Sequence, residues 1–106
     1  MKKIFCILLL LLVFFLLGCT QTSEEEKAKL TCIEECRKVL NEGRNLSNGP
    51  CLLNPINEVP NWVCDVAHSP REPIDNLEEN QCSAYKEGRA NHFVEVDPNC
   101  NFIRAW

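Results

Sequence analysis

Between Ser23 and Gly43 the apolar positions recur at helical spacing, with Cys32, Ile33, Cys36, Val39 and Leu40 falling on one face. Ser23 with Glu26 three residues on forms a capping box, and Gly43 supplies the stop. Glu24, Glu25 and Glu26 crowd the first turn while Arg37 and Lys38 sit near the last, as the helix dipole favours. Glu25 with Lys29 and Glu34 with Lys38 add i,i+4 pairs. Cys32 and Cys36 project from the same face one turn apart. Disulfide geometry is poorly met between them, so each is expected to reach a different partner and staple the helix twice.

The pattern then changes. Between 45 and 75 the pairs Asn48-Gly49, Asn54-Pro55, Pro60-Asn61 and Ser69-Pro70 are turn signals, and every proline but Pro98 lies in this stretch. Residues 62–66, Trp-Val-Cys-Asp-Val, form its one strand-like run. Asp75 or Asn76 caps a second helix predicted over 77–87, with Gly88 as its stop. Residues 92–96 and 100–106, joined by Asp97-Pro98-Asn99, read as a terminal β-hairpin. The expected fold is small α+β and disulfide-rich. Two helices would pack on a short antiparallel sheet with long irregular loops.

The N-terminus follows a different pattern. Lys2 and Lys3 precede an uncharged apolar run over 4–17. As a helix that run is roughly 21 Å long at ~1.5 Å per residue, short of the ~30 Å hydrocarbon core. It reads as an export signal rather than a membrane span. It ends in Leu16-Leu17-Gly18-Cys19, which resembles the lipobox of bacterial and archaeal lipoproteins. The resemblance implies a signal peptide over 1–18 and a thioether-linked lipid with palmitate-type acylation at Cys19. A tether over 19–23 and an extracytoplasmic domain over 24–106 would follow. Two or more chains suffice for stable anchoring, at ~0.8 kcal/mol per buried CH₂.

Charge and cysteines sharpen this picture. The whole chain carries a formal −4, and loss of Lys2 and Lys3 leaves the remainder more acidic still. Nucleic acid demands clustered Lys and Arg, so it is not an expected partner. Cys32, Cys36, Cys51, Cys64, Cys82 and Cys100 are an even set in a small exported domain, which reads as a disulfide framework. A chain this short buries little apolar surface, and each bridge can contribute ~2–4 kcal/mol. Zinc is the weaker reading, because the spacing of Cys32 and Cys36 fits no common ligand pair and no second close pair exists.

Candidate chemistry is sparse. Cys82 with His92 has the residue types of a thiol nucleophile and its base, but the disulfide framework claims the cysteine. Strand alternation separates His92 from Glu95 and Asp97, so His92 is expected as a hydrogen-bonded structural residue. The densest polar group is Asp65, His68, Arg71 and Asp75, in a proline-bounded loop between strand and helix. That loop is the expected binding site. The segment from Cys82 through Gly88, His92 and Cys100 faintly resembles small cysteine-cluster domains of archaeal and bacterial surface proteins, a likeness that implies no particular activity.

The reading is therefore a lipid-anchored module at the cell membrane or envelope, facing outside the cytoplasm. It binds a protein, peptide or envelope component, with no metal, cofactor or catalytic residues assigned. The alternative is a small secreted hydrolase or metal-dependent enzyme using His68 or His92 with nearby carboxylates.

Overall fold

Helix α1 (Glu24–Asn41) begins where Ser23 accepts the Glu26 N–H at 3.2 Å. It ends in a Schellman motif: Gly43, at φ 87°, donates to Leu40 O while Arg44 donates to Val39 O. Its buried stripe is Ala28, Cys32, Cys36 and Val39. Leu40, expected on that face, is exposed instead. The computed structural model describes residues 22–106, so the leader, Cys19 and their processing lie outside the described residues. No helix among the described residues is long and apolar enough to cross a membrane.

Four strands follow: β1 (Cys51–Leu53), β2 (Trp62–Val66), β3 (His92–Val96) and β4 (Phe102–Ala105), ordered 1-2-3-4 in one sheet. The expected strand at 62–66 and the terminal hairpin are both present. The antiparallel sheet is not: β1–β2 and β3–β4 are antiparallel, but β2 and β3 run parallel, from Trp62 beside His92 to Val66 beside Val96. The sheet is mixed. A parallel pair needs a long crossover, and the chain between Val66 and His92 supplies it.

The second helix shrinks in that crossover. Instead of one helix over 77–87 there are 3₁₀ turns at Pro73–Asn76 and Glu78–Asn80, then the four-residue α2 (Ser83–Lys86). Leu77, Gln81 and Cys82 are extended and break the run. The Asn80 and Gln81 side-chain amides bond the carbonyls of Ile74 and Asp75, competing with a helical ladder. Gly88, at φ 79°, closes α2 as expected.

Strand alternation gives the sheet two unlike faces. Trp62, Cys64, Val66, Val94 and Val96 pack with the buried stripe of α1. Val63 packs with Cys82, Ala84 and Ala90 on the other side, with Phe93 against them. Three disulfides hold the layers: Cys32–Cys64 and Cys36–Cys100 staple α1 twice, to different partners as expected, and Cys51–Cys82 ties β1 to the start of α2. The described residues are thus α+β, with two α-helices, one four-stranded sheet and three bridges among them.

Candidate functional site

One register row crosses the sheet as Cys51, Asp65, Glu95, Arg104. Register partners project to the same side, here the side away from α1. Both acids are buried: Asp65 is 9% exposed and Glu95 6%. Glu95 is compensated. Its Oε1 lies 3.2 Å from Arg104 Nη2, and its Oε2 lies 3.4 Å from Arg71 Nη1. Arg71 arrives from the loop after β2, with Nε donating to Asn76 Oδ1 at 2.8 Å and Nη2 to Asp75 O at 3.4 Å. The Arg104 guanidinium also lies 5.4 Å from the Phe93 ring centroid.

Asp65 is not compensated. Its Oδ1 is buried without a hydrogen-bond partner among the described residues. Burial, reinforced by the negative charge of Glu95 and opposed by Arg71, pushes its carboxyl up to about 8, with Asp75 adding to the rise. At neutral pH Asp65 is therefore mainly the uncharged acid. Beside it opens a cavity of about 170 Å³ lined by Val63, Asp65, Arg71, Gln81, Cys82, Tyr85, Phe93, Glu95 and Arg104. The Cys51–Cys82 bridge and the edge-to-face pair of Tyr85 on Phe93, 5.2 Å between centroids, stiffen one wall.

The four residues singled out in the sequence separate into two jobs. Asp65 and Arg71 line the cavity. Asp75 is 1% exposed and fastens the loop beneath it: Oδ2 accepts the backbone N–H of His68 and of Glu72, each at 2.9 Å, and Oδ1 meets His68 Nδ1 at 2.9 Å. Burial works to raise the Asp75 carboxyl, but these hydrogen bonds outweigh it and hold the group below its ordinary value. His68 Nε2 in turn lies 3.0 Å from Glu72 Oε2. Gly49 packs so closely that a Cβ there would stand 2.5 Å from Asp75 Oδ1.

Comparison with protein-family models, curated proteins and solved structures finds no match to this chain. Its chemistry is read from the site alone.

His92 is remote in kind from that site. It stacks on Trp62, 4.6 Å between centroids and 20° between planes, with Nδ1 3.2 Å from Trp106 O. Alternation places it on the face opposite Glu95, and neither histidine lines the cavity. Among the described residues no three His, Cys, Asp or Glu side chains converge as a metal site. Glu95, Arg104, Gln81, Tyr85 and Phe93 were not legible as site residues from the sequence. Glu95 alone left a trace: a carboxylate between two valines in a strand-like run needs a cationic partner if both faces are covered.

Proposed function

We propose that the chain is a lipid-anchored, extracytoplasmic binding module. Cys19 holds it to the membrane, and the cavity over Asp65 and Glu95 receives a protein, peptide or envelope component. One observation carries the binding reading: a buried acid with one oxygen unpartnered lines a cavity together with Arg71 and Arg104. Buried polar atoms are satisfied in all but a few places in a fold, and the exceptions mark sites of strain or function. The lipobox-like leader supports the anchor, and three bridges suit an oxidising compartment. Both histidines are engaged elsewhere, His68 with two carboxylates and His92 with Trp62, which favours binding over hydrolysis.

The test is made in cells, with a photo-crosslinking residue at Tyr85, an exposed member of the cavity wall. A discrete envelope adduct is expected that disappears with Arg71→Gln. An adduct insensitive to Arg71→Gln, or none, overturns the reading of this cavity. Fatty-acid labelling lost with Cys19→Ser is expected for the anchor, and labelling that persists excludes it.

A further inference from the structure

Resting on that reading, we infer that the cavity is a carboxylate subsite, taking one ligand carboxylate between Arg71 and Arg104 with the Asp65 carboxyl hydrogen-bonded beneath it. Unspent donors point there. A guanidinium carries five N–H groups. Arg104 directs one terminal nitrogen at Glu95, and Arg71 meets the same carboxylate only at 3.4 and 3.5 Å. Those Arg71 contacts lie beyond the usual ~2.7–3.2 Å for N–H···O. Neither arginine is saturated by Glu95.

Charge points the same way. Within the cavity lining, Arg71 and Arg104 carry two positive charges against one on Glu95 and none on the neutral form of Asp65. The Asp75 carboxylate lies outside the lining, bonded to the His68 and Glu72 N–H groups. One anion restores neutrality in a half-enclosed site where charges interact more strongly than in water. A ligand cation would have to strip the Asp65 proton while standing beside two arginines. A neutral polyol would satisfy Asp65 and leave the excess charge in place.

Size and lining complete the argument. About 170 Å³ has room for a group of roughly amino-acid size, not for a folded segment. Val63, Phe93 and the Cys82 side chain offer apolar contact to the carbon bearing the carboxylate. Charged and titratable groups meet Asp65 from every element around it: Glu95 from β3, Arg104 from β4, Arg71 and Asp75 from the loop, and Tyr85 from α2. Below about 8 Asp65 can donate its proton to the ligand, and above it the new negative charge repels the ligand. Affinity therefore falls as pH rises through that value.

The full chain, ¹⁵N-labelled and purified in detergent, is titrated with four probes: N-acetylglycine, propionate, N-acetylglycine methylamide and propylammonium. N-acetylglycine is expected to shift the amides of Asp65, Glu95 and Arg104, and the uncharged methylamide to leave them in place. N-acetylglycine binding more tightly than propionate identifies a peptide C-terminus as the source, and equal binding identifies a bare carboxylate. Arg104→Gln should weaken binding at least about tenfold, as loss of a charge-assisted hydrogen bond implies. Arg104→Lys, which keeps the charge, should lie between. Asp65→Asn should abolish the fall in affinity above pH 8. Binding of propylammonium in place of the carboxylates, or affinity that rises with pH, overturns the inference. If the carboxylates fail while the Tyr85 adduct remains sensitive to Arg71→Gln, this inference falls and the binding module stands. Loss of both removes both.

Discussion

Asp65 and Glu95 are direct neighbours across the parallel β2–β3 ladder, yet Glu95 is held by two arginines while Oδ1 of Asp65 has no partner among the described residues. The asymmetry follows from position. Glu95 has Arg104 as its partner on β4, whereas Asp65 has Cys51 on β1, whose sulfur is committed to Cys82. Burial and the adjacent Glu95 charge both disfavour ionising Asp65. Arg71, which is bonded to Glu95, only partly opposes them, so Asp65 keeps its proton.

That proton makes stability depend on pH in a definite direction. The Asp65 carboxyl is raised from 3.8 to about 8 by folding. Between those values the native chain binds a proton that the unfolded chain has released, so stability falls as pH rises across the window. The contribution is complete below about 4 and gone above about 8. Melting temperatures measured from pH 4 to 8 should decline, by at most on the order of 1 kcal/mol per pH unit in free energy. Asp65→Asn should flatten the curve. Parallel slopes for the two proteins would falsify the assignment.

Asp75 predicts the opposite limb. Its carboxyl lies below the ordinary 3.8, so the stability it provides is present above that value and lost as pH falls through its native one. Asp75→Ala removes the acceptor of both the His68 and the Glu72 N–H groups. A loss of about 2–4 kcal/mol is expected, since hydrogen bonds to a buried charge are worth ~1.5–3 kcal/mol each. Chemical denaturation at pH 7 reads this directly. A loss under about 0.5 kcal/mol would show that the loop is held by something else.

Gly49 should tolerate no side chain. Its φ of 67° is left-handed, and an added Cβ would stand 2.5 Å from Asp75 Oδ1 and 3.2 Å from Val66 O. Gly49→Ala combines left-handed backbone strain of about 1–2 kcal/mol with that collision. It should destabilise the protein and shift the amides of His68 and Glu72. A silent Gly49→Ala would mean that Asp75 is placed differently.

The six cysteines should resist alkylation in the unreduced, denatured chain. Replacing Cys51 and Cys82 together with alanine should cost ~2–4 kcal/mol, and it should also loosen the cavity wall that Cys82 and Tyr85 form. N-acetylglycine affinity then drops even at temperatures where the protein stays folded. Removing Cys36–Cys100, which closes the longest separation at 64 residues, should cost stability without that loss of affinity. Equal effects of the two pairs on binding would detach the cavity from the third bridge.

Local features of the chain were legible because local physics decides them. Ser23, Glu26 and Gly43 delimit α1 through groups within a turn of one another. Trp62–Val66 and the closing hairpin follow from strand-forming residues and the Asp97-Pro98-Asn99 turn. Helical spacing alone sent Cys32 and Cys36 to separate partners. The parallel pairing of β2 with β3 was decided only in three dimensions, because no local signal says which way a strand returns after a long crossover. That pairing is what sets Asp65 beside Glu95, and β4 then brings Arg104 to the same carboxylate. The loop group was half legible for the same reason. Sequence proximity placed His68, Arg71 and Asp75 together, but only burial separates Asp75, consumed in holding the loop, from Arg71, which lines the cavity beside Glu95. Short-range hydrogen bonding and periodicity are written in consecutive residues. The energy of a buried charge depends on neighbours distant in sequence, and only the folded chain supplies them.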